Sequence, residues 1–525
     1  MDIIEKALSN NLHLWAEKKY KEQTWSELKK ISLGKNVFAF GVGGALDYFF
    51  RNCSSQIRIT GVIDNDAQKY GQKLGWYCAE AWNTEYEDML IQGPEILNNY
   101  LQSDLVVLVT NVNYYRQIVE QLEGMDITHI YIMLIMEYNS RKTSGWTEDF
   151  QKIVKNYSEE CGKYPVVKNK IVMSYGEYGG HIKYITKHLL KRSDNLDIVW
   201  LVYHEKTDIP EGVRPVPKKN WKRYVYEMET AGIWIFDVTV EPFIIKRPEQ
   251  IYIQTKHWSS ITLKKFYLDD KSSCTSDEIA EWIKQNGRMM DYIFTGSKFD
   301  EDSCRSGFAF GGTTVRVGSA RSDILFDKGV KEKVYDMFKI PLNNHIALYV
   351  PTYRDKEFRQ NKGMSIPVDF EKLLNAFEHR FGGTWNILIR LHPRMSFEKS
   401  NIKESEKIIN ACLYPDSEEL VAAADLMITD YSSIMFEGAF VKKPVFLYAY
   451  DRKEFIDGER ELLLDYNSLP FPISENNEQL IENIIEFDED KYKRKVDNFL
   501  AEYEVREDGH ASERAAEFIL NLIKS

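Results

Sequence analysis

Short apolar runs recur along this chain in three series of four, each run broken off by glycine, serine, aspartate or proline, and this rhythm limits the fold more than any other feature. The first series is "KNVFAF" (35–40), "IRITGVID" (57–64), "DLVVLVTN" (104–111) and "ITHIYIML" (127–134). The second is "KIVMSY" (170–175), "LDIVWLV" (196–202), "GIWIFDV" (232–238) and "QIYIQT" (250–255). The third is "HIALYVP" (345–351), "WNILIRLHP" (385–393), "DLMITD" (425–430) and "KPVFLYAY" (443–450). Runs of this length suit strands, their near-continuous apolar character predicts burial on both faces, and the amphipathic stretches between them predict crossover helices. The expected class is therefore α/β, with Rossmann-like units in tandem. At 525 residues the chain is too long for one core. The expected division is a small Rossmann-like unit over 1–140, a connector over 141–165 within a lysine-rich stretch that carries one helix, and two larger lobes over 166–335 and 336–525.

In the first unit, strand, glycine turn "GVGGALDYFF" and a second strand ending in an acid follow one another in Rossmann-type order. Gly41, Gly43 and Gly44 would let the backbone approach a phosphate at a helix N-terminus, and Asp64 could bind a ribose hydroxyl. Leu46 stands where a third glycine would complete the dinucleotide fingerprint, and "VIDND" is equally a strand-ending turn.

A net charge of −12 argues against a nucleic-acid surface, and six scattered cysteines without a CxxC pair or clustered histidines suggest a reduced, cytosolic protein with no metal centre. The N-terminus "MDIIEKALSN" lacks the pattern of a leader, and no apolar run reaches the roughly 18 residues of a membrane span. The aromatic and basic stretch "KKNWKRYVYEM" (218–228) could lie on a bilayer, the simpler reading being an amphipathic helix with one buried face.

The seam "DLMITDYSSIMFEGAF" (425–440) delivers Asp430 at the end of a strand, with Ser432 or Ser433 placed to cap the helix that follows. Such a helix start suits a phosphate, and Glu437 one turn on could accept from a ribose diol or face water. In "NILIRLHPR" Arg390 and His392 are two apart, so a strand would put both on one face as an anion grip. "VPTYRD" brings Thr352 and Arg354 to the same rim. In the middle lobe, "IQTKHWSSITLKK" (253–265) offers His257 as a general base on an acceptor hydroxyl, with Lys264 close behind. The loop "SYGEYGGHIKY" (174–184), with Gly179 and Gly180, would let acceptor groups approach closely.

Taken in order, "GGHIKYITKHLL", "GIWIFD", "QIYIQTKHWSSITLKKF", "GSARSDILF", "YVPTYRD", "LIRLHP", "ADLMITDYSSIMFEGAFVKKPVFLY" and "DGHASERAAEFI" resemble the CDP-glycerol glycerophosphotransferase family of bacterial teichoic acid primases and polymerases, from about 165 to the end. The resemblance implies a GT-B-type pair of Rossmann-like lobes, preceded by an additional small one. It implies transfer of glycerol phosphate or ribitol phosphate from a CDP-alditol to a hydroxyl of a cell-wall or capsular acceptor, lipid-linked or polymeric, with release of CMP. It also implies a peripheral location at the inner face of the cell membrane. By the same resemblance His257 is catalytic, His392 binds and activates at the donor phosphates, and Ser432 and Ser433 contact phosphate. Arg354, Arg390, Asp430 and Glu437 fall on the donor side, and Gly179, Gly180 and Lys264 on the acceptor side. No cofactor is required; magnesium carried by the nucleotide is compatible with this reading, as is a homo-oligomer. Around the first histidine the family writes Trp-His-Gly-Thr-Pro-Leu-Lys, whereas this chain has "KHWSSITLK". Rival readings are a nucleotide-sugar glycosyltransferase on the same lobes and a non-catalytic nucleotide-binding assembly module.

Overall fold

The computed structural model describes residues 3–10, 12–20, 22–144, 150–174, 178–193, 195–203, 207–272, 274–354, 366–392, 395, 400–458 and 461–524. Among them three sheets repeat one winding scheme. The first joins β1 (Asn36–Phe40), β2 (Gly61–Ile63), β3 (Ile91–Gln92), β4 (Leu105–Val109) and β5 (Ile130–Ile132) in the order β3-β2-β1-β4-β5, parallel throughout. The second contains β6 (Val167–Ser174), β7 (Asp197–Val202), β8 (Val213–Pro217), β9 (Ala231–Phe236), β10 (Ile251–Gln254), β11 (Tyr292–Thr295) and β12 (Thr313–Arg316), in the order β12-β11-β10-β9-β6-β7-β8. The third joins β13 (His345–Tyr349), β14 (Trp385–Ile389), β15 (Ile408–Asn410), β16 (Leu426–Thr429), β17 (Val445–Tyr448) and β18 (Ile473–Ser474) as β15-β14-β13-β16-β17-β18, again parallel. In each sheet the chain starts centrally, winds one way and then reverses. Ligands of such sheets gather where the strand order reverses, at the carboxyl ends.

The α/β class read from the apolar runs holds, and all twelve runs contain strands. The stretch read as a connector with one helix contains the helix Phe150–Cys161 and also the end of another, Met133–Ser144. By contacts the chain divides into two compact units: 1–178 with 197–232 and 243–250, and 179–196 with 233–242 and 251–525.

In the first unit Gly41 ends β1 with φ +114, and a Cβ there would lie 2.8 Å from that of Asn111, so only glycine fits the turn. Here too the stretch 218–228 forms a helix, Trp221–Thr230, whose Trp221, Tyr224, Val225 and Met228 are buried. Lys222 pairs with Glu80 at 2.6 Å and Arg223 lies over Trp82. The aromatic face thus packs inside its own unit, as the simpler reading expected.

In the second unit the core is continuous around β13, β14, β16 and β17, whose side chains are almost all buried. Large aromatics fill it, with Tyr431 stacked flat on Phe455 at 3.9 Å. This packing fixes the strand tips from which the candidate site is built.

Candidate active site

The strand ends of the second unit bring several sequence-predicted residues together. The order of the third sheet reverses between β13 and β16, so the segments after them are neighbours. Asp430 accepts from the backbone N–H groups of Thr352 at 2.8 Å and Tyr431 at 2.6 Å, and from Arg354 Nη2 at 2.9 Å. Arg354 also donates to both oxygens of Asp451, at 2.6 and 3.0 Å, and to the Thr352 carbonyl at 2.6 Å. Both Arg354 and Asp430 are buried. A guanidinium shared between two carboxylates and a carbonyl is a brace, holding the two strand tips in register.

The serines behave differently from simple caps. The helix after them runs Ile434–Phe440, and Ser433 at its cap position has φ −62 and ψ −10 without a side-chain capping bond. The Ser433 hydroxyl accepts instead from Leu263 N–H at 3.1 Å and lies 3.2 Å from Thr262 Oγ1. Capping by Ser433 is therefore corrected: its hydroxyl ties the segment after His257 to the seam. Ser432 is half-buried, and its Oγ lies 3.5 Å from Ile434 N–H. Glu437 does not face water, because it is fully buried and ion-paired with Arg321.

Arg390 leaves the end of β14, where its Nη1 faces the carbonyls of Ala411 at 3.4 Å, Cys412 at 3.5 Å and Tyr414. His392, two residues on, is exposed and packs against the Tyr353 ring at 4.6 Å. The arginine thus shapes the adjoining loop, while the imidazole stays open at the rim.

His257 follows β10 by three residues. Its ring is exposed, yet protein surrounds it closely enough that burial is the leading cause lowering its pKa to about 4, followed by the charges of Arg321, Lys256 and Lys264. Accessible to water but walled by protein and cations, the imidazole is neutral at pH 7 and free to take a proton. The rearranged "KHWSS" explains itself locally. Lys256 adopts φ +56 and pairs with Asp300 at 2.9 Å, both buried. Trp258, displaced to the far side of the histidine, is buried against Phe266 at 4.1 Å and donates to Asp300 at 3.2 Å. Ser260 Oγ bonds Glu507 and would collide with any Cβ at Gly296, so the loop runs in a channel that glycine leaves open. Beyond it, Lys264 bridges to Leu462, and Lys265 pairs with Glu461 at 3.0 Å.

Gly179 and Gly180 begin the helix Gly180–Arg192, whose His181 and Lys183 turn toward the site. His181 accepts from Arg321 N–H at Nδ1 (3.5 Å) and its Nε2 faces the Trp258 carbonyl at 3.0 Å, which assigns its proton to Nε2. Burial and the nearby cations hold it neutral. Residues 175–177 of that glycine loop lie outside the described residues.

In the first unit the predicted nucleotide group is Gly41, Gly43, Gly44 and Asp64. Gly43 caps the helix Gly44–Asn52, as a phosphate-binding turn would require. The Asp64 carboxylate, however, accepts from Val42 N–H at 2.8 Å, Asp66 N–H at 2.9 Å and Lys69 at 2.9 Å. The acid closes the turn on itself. The sequence reading missed His181, Lys256, Asp300, Arg321, Glu418 and Glu507. Arg321 sits in "GSARSDILF", a motif that carried no role when read alone.

Among the described residues no group of three or more His, Cys, Asp or Glu is placed to hold a metal, and no helix is long and apolar enough to cross a membrane. The family model for CDP-Glycerol:Poly(glycerophosphate) glycerophosphotransferase matches residues 163–521. The teichoic acid poly(glycerol phosphate) polymerase of Staphylococcus epidermidis is 26% identical over 377 residues, which cover 68% of this chain and 51% of that protein. The chain thus spans about half the length of that relative. The teichoic acid ribitol-phosphate primase of Bacillus spizizenii is 29% identical over 310 residues, covering 57% of this chain and 78% of that one. Among solved structures, the wall teichoic acid polymerase TagF shares the fold with a TM-score of 0.63 at 23% identity, covering 79% of this chain and 98% of that one.

Proposed function

Because the chain belongs to the CDP-glycerol:poly(glycerophosphate) glycerophosphotransferase family, we propose that it transfers glycerol phosphate or ribitol phosphate from a CDP-alditol to a hydroxyl of a cell-wall or capsular polymer. His257 takes the proton of the acceptor hydroxyl, whose oxygen attacks the alditol-bearing phosphorus in line. The bond from that phosphorus to the bridging oxygen breaks, and CMP leaves with both of its electrons. His392 and the hydroxyls of Ser432 and Ser433 meet the charge that grows on the departing phosphate. Arg354, Asp430 and Arg390 keep the strand tips that carry these groups in place. Such a reaction depends on positioning and electrostatic stabilisation more than on covalent chemistry, and these groups can supply both. A magnesium ion arriving with the nucleotide is compatible with the step and forms no part of it.

The observation that carries this reading is His257, exposed at a strand tip yet held in its base form by burial and three cations, within the span matched by the family. Purified protein given CDP-glycerol or CDP-ribitol and a lipid-linked acceptor is expected to release CMP, with His257→Ala and His392→Ala each reducing the rate at least a hundredfold. Full rate in both variants would overturn the assignment. The acceptor side is Gly179, Gly180 and Lys264, and the reaction is placed at the inner face of the cell membrane. Co-sedimentation with anionic vesicles tests that placement, and loss of binding in acceptor-free vesicles would point to the acceptor as the sole anchor.

A further inference from the structure

One arginine joins the His257 segment to the helix after the serine seam, and the transfer step makes no use of it. Arg321 lies in the short helix Ala320–Phe326 and is nearly buried. Its Nη1 donates to the His257 carbonyl at 2.7 Å. Its Nη2 is paired with Glu437, on the helix that follows the serine seam, and its Nε lies 3.4 Å from Glu418. Its own N–H reaches His181 at 3.5 Å. We infer that Arg321 is a positioning residue for the base: its planar fork ties the backbone of His257 to the seam helix. This inference rests on the reading of His257 as the base.

The geometry supports this tie. Nη1 and Nη2 of one rigid guanidinium cannot move independently, so the carbonyl of His257 is held at a set distance from Glu437 and hence from Ser432 and Ser433. An in-line displacement is sensitive to that separation, since a misplacement of about 1 Å can cost on the order of a hundredfold in rate. Around the imidazole, the facing charges and titratable groups are Arg321, Lys256, Lys264 and His181. Lys256 is balanced by Asp300. Arg321 faces two buried carboxyls. Burial raises the pKa of both Glu418 and Glu437, with Arg321 the largest opposing influence on each, and Glu437 makes the ion pair.

Two measurements test the tie. In Arg321→Lys, which keeps the charge and loses the fork, kcat for CMP release should drop at least tenfold, with KM for the CDP-alditol within threefold and the melting temperature unchanged. Wild-type kcat in that variant overturns the inference. Should Arg321→Lys fail to fold, Glu437→Gln, which loosens the other end of the fork, takes its place, and unchanged kcat there overturns the inference. Diethyl pyrocarbonate, which among the two forms of imidazole acylates the neutral one, reads the histidine without turnover: its rate on His257 at pH 7 in the full chain, followed by mass spectrometry of the peptide, should change at least threefold in Arg321→Lys, and a wild-type rate overturns the tie. If His257→Ala keeps its rate of CMP release, the base reading falls, while the modification rate still tests the contact itself.

Discussion

The chain makes the same local phrase twice, and the two versions behave differently. In the first unit, strand β1 runs into Gly41–Gly44 and a helix, with Asp64 ending the neighbouring strand. In the second unit, strand β16 runs into Asp430–Ser433 and a helix, with Arg354 beyond the end of its neighbour β13. Both lie where the strand order of a parallel sheet reverses, the usual place for a ligand. In the first, the acid turns inward onto Val42 N–H and Lys69. In the second, the acid is occupied by Arg354 and two backbone groups, while His257 and His392, both exposed, follow the strands β10 and β14. The neighbouring cation differs: Lys69 pairs with the acid from its own turn in the first, and Arg354 pairs with it from beyond the neighbouring strand in the second.

The strongest way to break this contrast is His257→Ala, expected to lower CMP release by about 10²–10⁴ while the melting temperature holds, since it removes a proton acceptor at an accessible position. The same base sets the pH response. Its pKa of about 4 means that it is neutral above that value, so kcat/KM should stay level from pH 7 down to about 5 and fall as pH drops through 4. An acid limb near 6.5 would mean that neither burial nor the cations around it lower its pKa. Next comes Arg354→Ala, which removes the cation paired with both Asp430 and Asp451 and should cost about 3–5 kcal/mol in urea unfolding. Gly41→Ala tests the first seam: a side chain at φ +114 against Asn111 should cost about 1–3 kcal/mol. Hydrogen exchange should speed up in β1 and β2 and leave β13 and β16 unchanged. Smallest in stability is Ser433→Ala, which removes one hydrogen bond to Leu263 N–H and should cost about 1 kcal/mol, while CMP release should fall about tenfold because the same hydroxyl is proposed to meet the phosphate. Unchanged release at that lowered stability would confine Ser433 to the loop.

Much of the architecture was legible because strands buried on both faces must be apolar along their whole length. The strands that escaped were, with the exception of β11, all at sheet edges: β3, β8, β12, β15 and β18. Edge strands need neither length nor continuous apolarity, and β8, "VRPVP", carries two prolines that would be excluded from a sheet centre. The histidines were legible because a polar residue at the end of an apolar run has to emerge at a strand tip. The partners that tune them were not. Arg321 and Glu437 lie 116 residues apart, and nothing local in "GSARSDILF" or "SIMFEGAF" announces that they meet. Capping misled for a related reason, since a serine at a helix start satisfies the local rule whether its hydroxyl serves the helix or a distant backbone. The two far-apart motifs "GSARSDILF" and "DGHASERAAEFI" turn out to be one feature: Asp323 accepts from Ala511 N–H at 2.9 Å and from Ser512 N–H at 2.7 Å, at the start of the helix Ala511–Lys524.

The stretch 257–265 is held at four points by segments distant in sequence: its carbonyl at 257 by Arg321, Ser260 by Glu507, Leu263 by Ser433, and Lys265 by Glu461. Seen as a problem in recombination, this loop has no clean breakpoints. A chimera that imports the Trp-His-Gly-Thr-Pro-Leu-Lys version alone would carry no serine to donate to Glu507, while the ties to the backbone at 257 and 263 do not depend on side chains. Exchanging this loop would therefore require exchanging the Glu507 segment along with it, so two segments 247 residues apart should be inherited together.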